Sequence, residues 1–246
     1  MGAALLAART YWQDTGTVDN KNDSEANLLN KLQSYFEEYP DEEWAFVPRG
    51  GEVGWVWPLN SDWELGGALD GYVEWPERGA LVLENKSTGE YLHPGYVGQF
   101  YFSSQITQYT WYLNQLLKGS GSTVYGALVN MVTKNIKGPR SNWKYPEFDR
   151  LLVRKPPWEL EQFEEDITED LRTFERYWES WYWPQSGMVD PRNCSGGPGR
   201  SPCLFRDICR TPLKPKDVHA ERFANIVERA EPWEPWKRKE SQEGGQ

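Results

Sequence analysis

The stretch GALDGYVEWPERGALVLENKSTG, residues 67–89, decides the fold of this chain. Val, Leu, Tyr and Trp are frequent in residues 68–75 and again in residues 80–85, which predicts two strands. Residues 76–79 between them, Pro-Glu-Arg-Gly, are typical of a turn. The stretch therefore predicts a β-hairpin, around which the rest of the chain can be arranged.

Three charged residues of this hairpin form a D-x13-E-x-K pattern, namely Asp70, Glu84 and Lys86. Side chains alternate along a strand, so Glu84 and Lys86 share a face, and strand pairing brings Asp70 close to Glu84. Two carboxylates and the backbone carbonyl of Asn85 would make the oxygen site that Mg²⁺ or Mn²⁺ prefers. The Lys86 ammonium would orient or help ionise an attacking water. The alternative is a surface hairpin with ordinary charges, because a single match to this pattern is frequent by chance.

A second motif follows the hairpin. Residues 99–117 carry apolar side chains at helical spacing and end at turn residues, which predicts a helix. Within it, Gln105 and Tyr109 belong to a Q-h-x-x-Y pattern, in which h is apolar. Residues four apart lie on one helical face, so both side chains can reach the same site. The alternative is that both belong to an ordinary helix surface.

Together these motifs resemble the RecB-like and Cas4-like nucleases of the PD-(D/E)XK superfamily. The family signature, G-x-h-D, then E-x-K, then Q-h-x-x-Y, is similar to residues 67–70, 84–86 and 105–109 in the same order. The resemblance implies an α/β, restriction-endonuclease-like fold, in which helices flank a mixed central sheet. The implied catalytic residues are Asp70, Glu84, Lys86, Gln105 and Tyr109. The implied ligands of Mg²⁺ or Mn²⁺ are Asp70, Glu84 and the backbone carbonyl of Asn85.

The activity implied by this resemblance is a metal-dependent DNA exonuclease, a hydrolase of phosphodiester bonds in recombination, repair or phage DNA processing. The implied substrate is DNA that is single-stranded or has free ends. A helicase or recombination protein is the implied partner. Ser87 and Thr88 are further candidates for phosphate contacts.

The three cysteines of the chain, Cys194, Cys203 and Cys209, lie in one segment rich in Pro and Gly. They resemble the C-terminal cluster of the iron–sulfur members of this family, which implies a [4Fe–4S] cluster. In those members a fourth cysteine lies upstream of the nuclease core, whereas no cysteine precedes Cys194 here. Zinc-bound or free thiols are the alternative.

The family's first motif also differs at the N-terminus. Its G-x-x-x-H pattern places a metal-binding His where this chain has Leu6, four residues after Gly2. These two departures predict a sequence that begins late relative to its relatives. His93 is a candidate replacement for the missing imidazole, and a polar loop residue without a ligand role is the alternative.

Residue patterns predict the remaining organisation of the chain. Helices are predicted at residues 3–12, 24–39 with Ser24 as the N-cap, 158–181 and 217–230. Strands are predicted at residues 44–47, 54–57, 124–133 and 148–154. The predicted domains are a nuclease core at residues 1–183, a small cysteine-containing appendage at 184–215, and a C-terminal helix and tail at 216–246.

Charge and composition narrow the class of protein without naming a ligand. The 246 residues carry a net charge of -10, so a nucleic acid would need a locally basic surface. Basic residues concentrate in two runs, which predict either phosphate contacts or a solvated loop: Lys134, Lys137, Arg140 and Lys144, then Arg150, Arg154 and Lys155. The 14 Trp and 13 Tyr predict a large aromatic core, with base stacking as the alternative for exposed rings.

No apolar stretch approaches the roughly 18 residues that a membrane span needs. The sequence therefore predicts no membrane partner and a location in the cytoplasm of a bacterium or of a phage-infected host. Two other classes of function compete with the nuclease. One is a catalytically impaired DNA-binding or scaffolding module that retains the nuclease fold, and the other is a zinc-stabilised interaction protein.

Overall fold

The computed structural model of the protein describes residues 10, 24–47, 53–135 and 144–180. The predicted helix at 3–12, apart from residue 10, the predicted helix at 217–230 and the three cysteines lie outside these residues. The described residues as far as Phe163 belong to one compact unit, and those from Glu164 onwards belong to a second. In the part of the chain that is described, no helix has the length and apolar character required to cross a membrane.

Four α-helices and seven strands make up the described structure. The helices are α1 (Glu25–Glu38), α2 (Pro94–Gly98), α3 (Ser104–Leu116) and α4 (Pro157–Ser180), with a 3₁₀ turn at Gln99–Phe102. The strands are β1 (Ala45–Phe46), β2 (Val53–Pro58), β3 (Glu64–Leu69), β4 (Gly71–Trp75), β5 (Gly79–Thr88), β6 (Val124–Thr133) and β7 (Phe148–Arg154).

The first unit is built on a mixed five-stranded sheet in the order β1-β4-β5-β6-β7. Strands β5 and β6 are parallel, and the other neighbours are antiparallel. A parallel pair needs a crossover connection, which α3 supplies between β5 and β6. Strands β2 and β3 form a separate antiparallel pair. The expectation of an α/β fold with a mixed sheet and flanking helices is confirmed.

One face of the sheet carries the main core. Ile106 and Leu113 of α3 are fully buried there with Val82 of β5 and Val129 of β6. Leu160, in the first turns of α4, joins the same cluster. The apolar residues of α3 recur every three or four positions, so one side of the helix is buried on the sheet.

The opposite face has a smaller cluster and carries α1 near the end of β6. Leu81 and Leu83 of β5 pack with Leu128 of β6 on this face. Side chains two apart on a strand share a face, so Asn130 lies on the same side as Leu128. Its Oδ1 accepts a hydrogen bond from the Tyr35 hydroxyl of α1 at 3.0 Å.

Several predicted elements have the expected bounds. The Ser24 side chain accepts a hydrogen bond from the Asn27 amide, so it is the N-cap of α1 as predicted. The strands predicted at 124–133 and 148–154 coincide with β6 and β7. The hairpin turn is also confirmed, with Gly79 at φ 94°, where a Cβ would come within 2.2 Å of the Thr123 carbonyl oxygen.

Two predicted elements were wrong in their continuity. Residues 68–75 form two strands, because β3 pairs with β2, β4 pairs with β5, and the chain bends at Asp70 between them. The helix predicted at 99–117 is also divided. Ser103 is extended and its side chain accepts a hydrogen bond from the Ile106 amide, so it caps α3 and ends the preceding 3₁₀ turn.

Described residues of the second unit form the continuation of α4. Within it the Thr168 hydroxyl donates a hydrogen bond to the Glu164 carbonyl at 2.7 Å. Arg172 and Glu169 pair across one helical turn at 3.3 Å. This part of α4 is rich in acidic residues.

Candidate active site

The site lies where β4 begins, beside the middle of β5. Gly71 of β4 pairs with Leu83 of β5, so Asp70 stands at the end of the ladder, next to Glu84. The Asp70 carboxylate accepts a hydrogen bond from the Asn85 amide, with Oδ2 and N 2.7 Å apart. This side-chain bond replaces the ladder bond that β4 no longer supplies. The structure thus brings Asp70 beside Glu84, as the hairpin predicts.

The backbone of Asn85 is directed toward the same edge. In a strand, the N–H and C=O groups of one residue point to the same side. Because the Asn85 amide faces Asp70, its carbonyl oxygen also faces away from β6, toward the edge where Asp70 lies. The two carboxylates and the predicted carbonyl ligand therefore lie around one short stretch of β5.

Glu84 is the least exposed member of the site, with 3% of its surface accessible. Its Oε1 lies 2.5 Å from the Lys86 ammonium nitrogen. Its Oε2 is buried and has no hydrogen-bond partner among the described residues. Burial raises the pKa of Glu84, the charge of Asp70 raises it further, and the hydrogen bond from Lys86 opposes the rise. An unpartnered carboxylate oxygen of this kind is costly unless a cation or donor satisfies it.

Lys86 is held between the hairpin and α3. Its ammonium donates a hydrogen bond to Gln105 Oε1 at 3.0 Å, besides its pairing with Glu84. Gln105 Nε2 in turn donates to the Tyr109 hydroxyl oxygen at 3.1 Å. The amide orientation follows from Lys86, which can only donate, so the Tyr109 hydroxyl accepts from Gln105 and keeps its own hydrogen for another acceptor.

The two sequence motifs thus form one connected group. Glu84 and Lys86 come from β5, and Gln105 and Tyr109 come from α3, one helical turn apart. The predicted reach of Gln105 and Tyr109 toward the same site is therefore met by direct contacts. Gln105 therefore connects Lys86 of β5 with Tyr109 of α3.

The glycine of the first motif has a packing role. An added Cβ at Gly67 would lie 3.0 Å from the Trp55 ring, closer than ordinary packing allows. Trp55 cannot readily move away, because it stacks on Tyr112 of α3 with ring centroids 4.2 Å apart. Gly67 therefore lets the β2–β3 pair approach α3 and lead the chain to Asp70.

A polar network behind the site was not predicted from the sequence. Asn130 Nδ2 donates to the Asn85 side-chain oxygen at 3.1 Å. Asn130 Oδ1 accepts from Arg150 Nε at 3.2 Å and from the Tyr35 hydroxyl. Arg150 also forms a two-pronged ion pair with Glu42, at 2.7 and 2.6 Å. Hydrogen bonds thus connect Arg150 through Asn130 and Asn85 to Asp70.

Two members of the second run of basic residues have structural contacts. Arg150 is enclosed by this network and stacks on the Tyr39 ring at 3.7 Å, so it has a structural role. Lys155 is 3% exposed, donates to the Tyr101 carbonyl at 3.0 Å and pairs with Glu159. The phosphate-contact alternative is therefore wrong for Arg150 and Lys155. Lys137 and Arg140 lie outside the described residues.

Three weaker candidates have other contacts. His93 is the N-cap of α2, where its Nδ1 accepts from the Tyr96 amide at 3.2 Å, and its Nε2 lies 4.0 Å from Glu90. None of these contacts involves Asp70 or Glu84. Thr88 Oγ1 accepts from the Glu90 amide at 2.9 Å and so shapes the chain beyond β5. Ser87 lines a cleft on the other side of the strand.

That cleft lies between α1 and the ends of β5, β6 and β7. Its volume is about 400 Å³, and its lining is mainly apolar. Leu32 and Phe36 of α1 form one wall, while Asn85, Lys86 and Ser87 of β5 form another. The C-terminal part of β5 therefore borders both the carboxylate pair and this cleft.

The donor set of the site suits a hard divalent cation. Two carboxylates and one carbonyl are oxygen ligands, and the unpartnered Glu84 Oε2 is an available position for a cation. Among the described residues no group of three or more His, Cys, Asp or Glu side chains could hold a metal ion. Water and substrate oxygens are further candidate ligands of such an ion.

No protein-family model matches this chain, and no curated protein and no solved structure is significantly similar to it. The assignment of function therefore depends on the geometry of the site and on its motifs.

Proposed function

We propose that this protein is a metal-dependent deoxyribonuclease with a restriction-endonuclease-like fold. One observation carries the proposal. A buried glutamate with an unpartnered oxygen stands beside Asp70, and the lysine two residues later is held by a glutamine of the next helix. A structural ion pair would need neither the second carboxylate nor the unpartnered oxygen. A phosphodiesterase site uses both, together with the ammonium.

Asp70, Glu84 and the Asn85 carbonyl would hold Mg²⁺ or Mn²⁺. Such an ion, when bound, polarises the scissile phosphate and stabilises the leaving oxygen. The burial of Glu84 favours this role, because a carboxylate removed from water gains more from a nearby cation than an exposed one does.

Lys86 would orient the attacking water and offset the negative charge that develops on the phosphate. Its two contacts, with Glu84 and Gln105, hold the ammonium in place before substrate binds. Tyr109 would use its remaining hydroxyl hydrogen to donate to a phosphate oxygen. Gln105 acts through its contacts and is a positioning residue.

The resemblance of the motifs supports an exonuclease that acts on single-stranded DNA or on free ends. It also supports a cytosolic role in recombination, repair or phage DNA processing, with a helicase or recombination protein as partner. The chain has a net charge of -10 and would repel DNA overall, so DNA would have to bind through a local surface.

The test is cleavage of end-labelled single-stranded and double-stranded DNA with Mg²⁺ or Mn²⁺. We expect Lys86→Ala and Asp70→Asn each to reduce the rate by about 100-fold or more, because the first removes the cation that offsets charge in the transition state and the second removes a proposed ligand of the metal ion. Lys118→Ala, at an exposed lysine after α3, is the matched control and should cleave like the wild type. Equal activity in the wild type and in both site variants would exclude this site.

A second candidate function is a DNA-binding or scaffolding module without catalysis. The observation that favours it is the presence of only two carboxylates at the site, with no third His, Cys, Asp or Glu side chain grouped with them in the described residues. DNA binding without cleavage in either metal would select this candidate. Cleavage that depends on Asp70 would reject it.

The cysteines of the C-terminal segment, Cys194, Cys203 and Cys209, would ligate iron as part of a [4Fe–4S] cluster or would ligate zinc. Elemental analysis of protein purified without oxygen distinguishes these metals. Iron and sulfide that are lost in Cys203→Ser would support the cluster. Zinc alone, together with no DNA affinity, would support an interaction protein.

A further inference from the structure

A group of aromatic rings lies directly beyond the C-terminal end of β5. Tyr91 is five residues from Lys86 and is 46% exposed. Its ring and that of Tyr145, from the segment before β7, have centroids 6.5 Å apart and an interplanar angle of 35°. His93 meets Tyr145 from another direction, at 6.1 Å and 61°. We call Tyr91, His93, Lys144 and Tyr145 the aromatic rim.

The rim is continuous with the candidate active site through the backbone. Thr88 ends β5, its carbonyl accepts from the Lys134 amide at 2.7 Å, and its hydroxyl accepts from the Glu90 amide at 2.9 Å. The Gly89 carbonyl accepts from Asn135 Nδ2 at 2.8 Å. These bonds attach the chain after β5 to the chain after β6. At about 3.3 Å per residue, Tyr91 lies within roughly 17 Å of Lys86.

The charges near the rim are mixed in a chain that is acidic overall. The exposed Lys144 places its ammonium 5.9 Å from the Tyr145 ring centroid. Glu90 lies on the same side, with a carboxylate oxygen 4.0 Å from His93 Nε2. The Lys144 ammonium can contact a phosphate group of a nucleic acid, whereas the Glu90 carboxylate would repel a phosphate group near His93. Ring contacts are therefore the main attraction that this surface offers a nucleic acid.

Such a surface distinguishes unpaired bases from a duplex. Aromatic side chains stack on the faces of unpaired bases, which are covered by neighbouring bases inside a double helix. Single-strand sites on OB folds span about 4–16 nucleotides, so a strand of that length at Lys86 is long enough to reach the rim.

We propose that Tyr91 and Tyr145, with Lys144, form a stacking site for the unpaired bases of a DNA strand whose phosphate backbone enters the Asp70–Glu84–Lys86 site. The proposal rests on the proposed nuclease function for the direction of the strand. The rim selects single-stranded DNA over blunt duplex, and it does so by binding and not by catalysis.

The experiment measures the affinity of the full chain for a labelled 16-nucleotide single strand and for a blunt duplex of the same length, with EDTA present. Tyr91→Ala and Tyr145→Ala should each weaken single-strand binding by about 5- to 100-fold and leave duplex binding unchanged. Tyr91→Phe keeps the ring and should bind like the wild type. Phe46→Ala, at a ring on the edge strand β1 that is 45% exposed, is the matched control and should have no effect.

Cleavage of the same DNA with Mn²⁺, measured in parallel, separates this inference from the proposed function. Wild-type cleavage together with unchanged binding by Tyr91→Ala would overturn the stacking site and leave the nuclease intact. Single-strand binding that depends on Tyr91, without any cleavage, would support the stacking site and overturn the nuclease. Loss in Tyr91→Phe as large as in Tyr91→Ala, equal loss for strand and duplex, or no single-strand binding by the wild type would also overturn the inference.

Discussion

Glu84 is a carboxylate that lies inside the packed face of a sheet, and its environment makes ionisation costly. Burial raises its pKa above the ordinary value of 4.5, and the neighbouring Asp70 adds to the rise. Lys86 offsets part of this cost through one oxygen, and the other oxygen has no partner in the described residues. A divalent cation at this site, as proposed above, would offset the remaining cost of ionising Glu84.

Stability of the metal-free protein should therefore depend on Glu84. Because the folded state raises the pKa, the stabilising contribution is fully present below pH 4.5 and is lost as pH rises through the folded-state pKa. Glu84→Gln has no such proton to lose. We expect the free energy of unfolding of the variant, relative to the wild type, to increase as pH rises from 4.5 through the folded-state pKa of Glu84.

Urea denaturation in EDTA at a series of pH values measures this difference. Glu77→Gln, at an exposed carboxylate in the hairpin turn, is the control and should show no comparable trend. A constant difference between Glu84→Gln and the wild type at every pH would contradict the expectation.

At the scale of single elements, the β2–β3 pair is held against α3 by a close contact that only glycine permits. Gly67→Ala would push a methyl group against the Trp55 ring, which is already stacked on Tyr112. We expect a loss of about 1–3 kcal/mol in the free energy of unfolding, as for other overpacked sites. Gly89→Ala is the control, since a Cβ there would meet nothing within 4 Å. Equal urea midpoints for the two variants would show that Trp55 can yield.

Strand β6 contributes to the site through Asn130, which joins Arg150 to Asn85. Asn130→Asp keeps an acceptor for Arg150 and Tyr35 but cannot donate to the Asn85 side chain. If the network positions Asn85 and hence Asp70, this variant should have a lower kcat and an almost unchanged KM for DNA. Asn130→Ala should in addition lose about 1–2 kcal/mol of stability, because the partly buried Tyr35 and Arg150 each lose a hydrogen-bond partner.

Steady-state cleavage and urea denaturation of the two variants separate these effects. If the apparent kcat falls only as far as the fraction of folded protein falls, Asn130 supports the fold and does not position the site.

The stability of the whole molecule should respond to the cation that we propose for the site. Binding to the folded state alone adds about 2.7 kcal/mol at a hundredfold excess of ligand over Kd, or roughly 5–10 °C in Tm for a chain of this size. We expect Mn²⁺ to raise the thermal midpoint of the wild type and to leave that of Asp70→Asn unchanged. A similar rise in both proteins would place the cation elsewhere. Glu77→Gln should respond like the wild type.

Much of the fold was predictable because its patterns are local. The β6 and β7 strands are continuous apolar runs with clear ends, and the N-cap of α1 is a single serine before a helical pattern. The break at Asp70 was not predictable, since residues on both sides have strand character and only partner choice separates them. The break at Ser103 depends on one side-chain bond to the Ile106 amide, which a periodic pattern does not reveal.

The local contacts of the site were likewise predictable from the sequence, and its long-range contacts were not. Alternation along β5 and the four-residue spacing in α3 were sufficient to group Glu84, Lys86, Gln105 and Tyr109. Asn130 and Arg150 lie 45 and 65 residues beyond Asn85 in the sequence, and only the pairing of β5, β6 and β7 brings them to it. Their signal in the sequence is weak, because a strand asparagine and a basic residue have many ordinary roles.

The register of the hairpin has a consequence for how the pattern can vary. Asp70 reaches Asn85 because Gly71 pairs with Leu83, five pairs away from the turn at Pro76. Extra residues in that turn would lengthen the interval between Asp70 and Glu84 along the chain without moving them apart in space. A single deletion within β4 would keep nearly the same interval and yet turn its side chains to the opposite face. The site therefore requires a fixed number of β4–β5 residue pairs between the turn and Asp70. It does not require a fixed number of residues between Asp70 and Glu84 in the sequence.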